Sequence, residues 1–185
     1  MKFTVSREKL LKALQKVIST VGSKSTLPVL GNVLLEAENG TLQLTTTDLE
    51  IRITTQVEAA IESEGKTTVP AKKFIALVSK FTDAEVAFTC DERHHSEVVC
   101  GTSKFKLLGL SAEDFPLPSE FTPIRTVIFK ESDLRKMFNQ ITYAVSLDDS
   151  RKVLHGVLTS CKDNTVTMVA TDGKRLALVE RVPEE

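Results

Sequence analysis

The chain repeats itself at a fixed offset of 124 residues. Laid over itself at that offset, Leu10 falls on Leu134, Val21 on Val145, Leu30 on Leu154, Val33 on Val157, Leu34 on Leu158 and Asp48 on Asp172, with no gap between positions 10 and 48. Thr47-Asp48 lies over Thr171-Asp172, and other pairs keep their type, such as Leu14 with Phe138 and Leu44 with Met168. A unit this long is a whole domain rather than a short solenoid repeat. The expectation is an α+β chain of tandem repeated domains, with domain I over 1–120 and the first half of domain II over 121–185, the second copy stopping partway.

Within the first repeat the apolar period changes along the chain. Phe3-Thr4-Val5 reads as a strand, and Ser6 as the cap of a helix whose Leu10, Leu14, Val17 and Val21 recur at helical spacing. Strands are expected over Val29–Glu36, Thr41–Thr47 and Glu50–Val57, with Asn39-Gly40 as a hairpin signal between the first two. A second helix runs from Val69-Pro70-Ala71 to about Lys80, followed by strands Glu85–Cys90, Ser96–Gly101 and Lys104–Gly109. The domain thus reads as strand, helix and three strands, performed twice. Beyond the Pro-rich stretch at Asp114-Phe115-Pro116-Leu117-Pro118 the cycle restarts. It has a strand at Thr126–Phe129, a helix Asp133–Tyr143 capped by Ser132, and strands near Val153–Ser160, Thr165–Thr171 and Arg175–Arg181. Asp163-Asn164 takes the place of Asn39-Gly40.

Charge is balanced overall, at -1, but segregated locally. Spacings of three and four put Lys9, Lys12 and Lys16 on one helix face, opposite Leu10, Leu14 and Val17. The second helix adds Lys72, Lys73 and Lys80, Lys24 follows in the first loop, and Arg151-Lys152 stand in a loop of the second repeat. Acidic residues, among them Glu36, Glu38, Glu58 and Glu62, concentrate elsewhere. Basic helices of this kind attract a phosphate backbone without reading bases, although lysines also simply solvate an exposed face.

Other signals weigh less. Three cysteines, an odd number, argue against a secreted disulfide framework, and Met1–Val5 lacks the apolar core of a signal peptide. No run approaches the ~20 apolar residues of a membrane helix. A soluble cytoplasmic protein is expected. Cys90, His94, His95 and Cys100 lack zinc-site spacing, so no metal and no cofactor is expected. Gly173-Lys174-Arg175 is not a phosphate loop. Asp48 and Asp172 could be read as a catalytic pair, but the repeat explains them as one position in two domains, each at a strand end.

Several motifs, in order, resemble the bacterial DNA polymerase III sliding clamp family, the beta subunit. They are Met1-Lys2-Phe3-Thr4-Val5, Leu27-Pro28-Val29-Leu30-Gly31-Asn32, Thr47-Asp48-Leu49-Glu50, Val69-Pro70-Ala71-Lys72-Lys73-Phe74, Asp114-Phe115-Pro116 and Ala170-Thr171-Asp172-Gly173-Lys174-Arg175-Leu176-Ala177. The resemblance covers the whole chain and implies the clamp fold. In that fold three similar domains make a subunit, the third absent here, and two subunits close head to tail as a homodimer around double-stranded DNA. It also implies a non-enzymatic processivity factor that tethers the DNA polymerase III catalytic subunit, the clamp loader and other clamp-motif proteins.

By the same resemblance, Lys24 and Arg151 match DNA-touching basic positions, whereas Asp148 stands where a polar amide is usual. Leu154, Thr171, Gly173, Lys174, Arg175 and Leu176 match the second-domain wall of the partner-peptide cleft, with Lys174 in place of a common histidine. The other wall comes from the third domain. Lys73, Leu77, Lys104, Phe105 and Leu107 match the first-domain side of the dimer interface, with Phe105 and Leu107 expected exposed on an edge strand. From the residues alone, Asp172-Gly173 is a turn with positive φ beside Leu154 and Leu176, suited to a linear peptide, or only a hairpin turn. Two other readings stand beside the clamp: a free-standing peptide-docking or nucleic-acid-binding module, and a hydrolase using Asp48 and Asp172.

Overall fold

The structure, a computed structural model, describes residues 1–22, 27–116, 122–123 and 126–182. It divides into two compact units, Met1–Ser119 and Glu120–Glu185.

In the first unit β1 (Lys2–Ser6) leads into α1 (Arg7–Val17), and a 3-10 turn over Ile18–Thr20 ends that helix. Leu10, Ala13, Leu14 and Val17 are the buried face of α1, as their spacing requires. Ser6 occupies the N-cap position, but its hydroxyl makes no cap bond. The N–H of Arg7 donates instead to the Ala84 carbonyl at 2.8 Å. Three strands follow, β2 (Asn32–Glu38), β3 (Thr41–Thr47) and β4 (Arg52–Glu58), and then β5 (Ala60–Ser63) and β6 (Gly65–Pro70). Asn39 (φ 49) and Gly40 (φ 74) both take positive φ, which makes the tight hairpin turn whose twist suits paired strands. α2 (Ala71–Lys80) precedes β7 (Glu85–Cys90), β8 (His95–Cys100) and β9 (Ser103–Leu108).

Three expectations fail here. Val29–Gly31 is not strand, because Pro28 sets the first position of a 3-10 turn over Pro28–Gly31, and β2 starts at Asn32. The strand expected from Glu50 starts at Arg52, because Asp48 holds residues 49–51 in a turn. β5 has no counterpart in the expected pattern; it is a short edge strand antiparallel to β1.

The sheet order explains the doubled pattern. One sheet runs β4-β3-β2-β6 and the other β5-β1-β7-β8-β9. Each half of the domain therefore lends its first strand to the other half's three-stranded sheet: β1 pairs with β7, and β6 with β2. Both helices close on one core with both sheets, where Phe3 stacks on Phe88 at 4.9 Å and Phe74 meets Phe88 edge-on at 6.1 Å. A second, smaller cluster lies on the other face of β2: Phe115, 2% exposed, packs with Val29 and Leu34. The Arg52 guanidinium sits 5.9 Å over the Phe115 ring and donates to the Pro116 carbonyl.

The second unit repeats the first half of this plan at the expected offset. α3 (Glu131–Ile141) and the 3-10 turn Thr142–Ala144 lie 124 residues after α1 and Ile18–Thr20. β11 (Thr165–Thr171) lies the same distance after β3, between β10 (Leu158–Lys162) and β12 (Leu176–Arg181). Asp163 (φ 49) and Asn164 (φ 56) make the β10–β11 turn, in the place of Asn39-Gly40. Met137, Ile141, Val166, Met168 and Ala170 form a separate core.

Here too expectations fail. Ser132 lies inside the first turn of α3, whose N-cap is Lys130. Residues 153–155 belong to a 3-10 segment, Asp149–His155, rather than to a strand. Thr126–Phe129 is not in a strand. Its counterpart β1 takes its ladder from β7, and no described residue of the second unit fills that place.

Candidate nucleic-acid interface and peptide cleft

α1 presents Lys9, Lys12 and Lys16 on its exposed face, as the spacing predicts. That face is partly neutralised. β4 runs beside α1 and brings Glu58 to Lys9 at 2.7 Å, and Glu8 reaches Lys12 one turn away at 2.6 Å. Glu58 therefore does not belong with the segregated acidic residues. Both carboxyls are held below the ordinary glutamate range, each chiefly by the hydrogen bond from its lysine. Lys16 makes no ion pair among the described residues and is the most available cation of the stripe. On α2, Lys72, Lys73 and Lys80 are exposed, and Lys72 donates to the Gly22 carbonyl at 3.2 Å. Lys24 lies outside the described residues. Arg151 and Lys152 are exposed in the 3-10 segment, where Asp148 caps the turn by accepting from the Ser150 N–H and hydroxyl.

The Thr-Asp turn is built identically in both units. In the first, Asp48 accepts from the N–H groups of Glu50 and Ile51, and the Thr47 hydroxyl accepts from Leu49 and donates to the Ile51 carbonyl. In the second, Asp172 accepts from Lys174 and Arg175, and Thr171 accepts from Gly173 and donates to Arg175. Leu49 carries φ 83 and Gly173 carries φ 86 at the same point. Asp48 and Asp172 are thus turn caps, and their hydrogen-bonding capacity goes to holding backbone. Asp172 also pairs with the Arg175 guanidinium at 3.0 Å. Its carboxyl is held below the ordinary aspartate range, first by the Lys174 and Arg175 backbone N–H groups and then by the Arg175 charge.

The six expected cleft residues are divided by the fold. Inward-facing Ala177 and Val179 alternate with Leu176 and Leu178, so Leu176 stands on the outer sheet face, 62% exposed. Leu154 is half-buried, and its carbonyl accepts from the Ser146 N–H. Lys174 is exposed beside Gly173. Arg151, expected to face DNA, sits over this turn: a Cβ placed on Gly173 would lie 3.0 Å from its guanidinium nitrogen. Arg175 alone of the six lines a groove of ≈ 660 Å³, together with Phe138, Tyr143, Val145, His155 and Val157 among others. Its guanidinium lies 5.7 Å over the Tyr143 ring. Apart from Arg175 these lining residues were missed from sequence. The available signal was the repeat, since Phe138, Val145 and Val157 correspond to Leu14, Val21 and Val33, all buried in the first unit.

The expected interface residues also separate. β9 is an edge strand, and Phe105 is 40% exposed on it, 5.8 Å from Phe81. Leu107 is not exposed: it is 7% accessible and belongs to the first core, while Leu108, 66% accessible, faces out. A two-residue strand period puts Phe105 and Leu107 on the same side of β9; Leu107 packs there into the first core, whereas Phe105, against Phe81, stays partly exposed. Leu77 is half-buried, Lys73 exposed, and Lys104 pairs with Glu97 at 2.8 Å. Cys90 and Cys100 are buried, His94 bonds Thr67 and His95 bonds Asp91. Among the described residues no group of three ligating side chains converges on a point. None of the described helices is long and apolar enough to cross a membrane.

Residues 1–119 match the N-terminal domain of the DNA polymerase III beta subunit, and residues 129–184 match its central domain. The chain is 37% identical over 181 residues to the beta sliding clamp of Chlamydia muridarum, covering 97% of this chain and 49% of that one. It is 38% identical over 180 residues to the beta sliding clamp of Escherichia coli, covering 96% and 49%. Among solved structures, a sliding clamp from Bartonella birtlesii bound to griselimycin superposes with a TM-score of 0.93 at 33% identity, covering all of this chain and 50% of the other. The chain thus spans about half the length of the curated relatives it matches.

Proposed function

Because the chain belongs to the DNA polymerase III beta subunit family and has the sliding-clamp fold, we propose that it carries the first domain and half of the second domain of a replication processivity clamp. In this reading residues 1–120 are clamp domain I and 121–185 the first half of domain II, and the complete protein closes as a head-to-tail dimer round double-stranded DNA. The clamp has no catalytic step. It holds the polymerase and other clamp-motif partners on DNA in the bacterial cytoplasm because a ring cannot fall off, while its DNA contacts stay weak enough to slide.

The observation that carries the proposal is the repeated helix with one buried face and one lysine face, present in α1 and α2. Lys16, Lys72, Lys73 and Lys80 are the DNA-facing charges we favour. Lys9 and Lys12 contribute after exchange with Glu58 and Glu8, Arg151 and Lys152 add charge from the 3-10 segment, and Lys24 is included from the family resemblance. The partner peptide is assigned to the surface of Leu154, Thr171, Gly173, Lys174, Arg175 and Leu176. The subunit interface is assigned to the β9 edge with Lys73, Leu77, Lys104 and Phe105, without Leu107, which lies in the first core.

Duplex binding by the 185-residue chain tests this. Fluorescence anisotropy is expected to give dissociation constants of roughly 10⁻⁴–10⁻⁶ M at physiological salt, equal for unrelated sequences. Lys16→Ala should lower the slope of log K against log salt by about 0.9. Glu58→Gln, which releases Lys9, should strengthen binding. Salt-independent affinity, or preference for one duplex sequence, would sink the reading.

A further inference from the structure

Arg151 and Lys152 stand on a stretch of the second unit that is folded back on itself, between the 3-10 turn Thr142–Ala144 and β10. Two sets of hydrogen bonds shape it. The first set is local. The Asp148 N–H donates to the Ser146 hydroxyl at 3.1 Å, and the Ser150 N–H and hydroxyl donate to the Asp148 carboxylate at 3.0 and 2.7 Å. The Arg151 N–H donates to the Asp148 carbonyl at 2.9 Å. Short polar side chains make such turns from their own neighbours.

The second set joins the two ends of the stretch. The Ser146 N–H donates to the Leu154 carbonyl at 3.1 Å. The His155 ring reaches back 7 residues to the Asp148 carbonyl, at 2.8 Å. A carbonyl only accepts, so Nε2 of His155 carries the proton and donates it. The two lone pairs of the Asp148 carbonyl are then both used, one by the Arg151 N–H and one by His155.

The repeat shows that this ring contact is an addition to the shared plan. At the 124-residue offset Ser146, Asp148 and His155 stand over Gly22, Lys24 and Gly31. Gly31 has no side chain with which to close the corresponding stretch of the first unit.

What the closure holds is basic. The chain kinks at Arg151 (φ -120, ψ 59), whose guanidinium rests over the Gly173 turn, and Lys152 follows it, exposed. A long cationic side chain on a free loop must lose backbone and rotamer freedom before it meets a phosphate, and that loss subtracts from affinity. A backbone that is already closed has lost part of it beforehand.

We infer that His155 is the positioning residue of this basic pair: its ring holds residues 148–155 closed, so that Arg151 and Lys152 meet the DNA phosphate backbone already placed. The ligand rests on the clamp reading; the closure does not.

Amide exchange measured by nuclear magnetic resonance reads the closure without DNA. In His155→Ala the Arg151 N–H should exchange about threefold to tenfold faster, the factor that one hydrogen bond contributes. His155→Gln, whose side-chain amide donates at a similar reach, should restore the wild-type rate, and the amides of β11 should stay unchanged in both variants. Fluorescence anisotropy with duplex DNA reads the consequence. His155→Ala should raise the dissociation constant about threefold, and His155→Gln should return it. In a background of Arg151→Ala with Lys152→Ala, His155→Ala should have no further effect. Arg151 exchange in His155→Ala equal to wild type overturns the proposal. So does a rise that extends to β11, a failure of His155→Gln to restore, or an effect on DNA that persists without Arg151 and Lys152. A wild-type chain that bound no duplex while the exchange pattern held would count against the clamp reading, and the exchange arm would still uphold the closure by His155.

Discussion

Asp172 holds its turn through charge. Two backbone N–H groups, at 2.9 and 3.0 Å, point at one carboxylate oxygen, and the Arg175 guanidinium approaches the other. These contacts favour the ionised form, so the folded-state pKa lies below its unfolded value. The stabilisation is complete above the ordinary aspartate pKa and is lost as pH falls from there through the lower folded value. Asp172→Asn should keep the turn geometry but remove this component of the pH dependence. Urea unfolding of the second unit, followed from neutral to strongly acid pH, should show a flatter acid limb in the variant. The motif itself was visible in sequence, because Thr-Asp recurs at the repeat offset. Its task was not, since a carboxylate that caps a turn and one that moves protons look alike until their donors are placed.

At the scale of elements, a strand's two faces decide what an edge residue can do. Leu107 and Leu108 are adjacent on β9, yet one is in the core and the other in solvent. Leu107→Ala should destabilise the first unit by roughly 2–5 kcal/mol through lost burial and a cavity. Leu108→Ala should stay within about 0.5 kcal/mol. Denaturant midpoints of the two variants check this, and equal small effects would return Leu107 to the surface. The same logic governs the lysine stripe. Helical spacing fixed which side of α1 carries Lys9, Lys12 and Lys16. The approach of β4 then placed Glu58 against Lys9, a contact across 49 residues that no local pattern contains. Surface pairs of this kind contribute about 0–1 kcal/mol. They therefore tune the charge offered to DNA more than they hold the fold.

Over the whole molecule, the two units differ in how far their apolar surface is closed. The first buries Phe3, Phe74 and Phe88 completely between two sheets and two helices. The second keeps a smaller core under one sheet and one helix, with Leu147 at 94% and Leu158 at 67% exposure. Local opening energies follow buried contacts, so amide exchange in β11 and β12 should be faster than in β3 and β7. Hydrogen-exchange mass spectrometry of the four strands reads this, and equal rates would refute it. The repeat offset, the helix and most strand positions, the hairpin turns at Asn39-Gly40 and Asp163-Asn164, and the family resemblance all followed from the sequence. Period, turn chemistry and self-similarity act between near neighbours or between copies, and one chain displays them. The tertiary structure alone decided that halves exchange first strands and that Leu107 is core. It also decided that Pro28 makes a 3-10 turn where a strand was expected, that residues 126–129 lie outside any sheet, and that Arg151 rests over the Gly173 turn. Apart from the Pro28 turn, which is local, each of these depends on which distant backbone or side chain supplies the partner, and a ladder or a buried face exists only when that partner is in place.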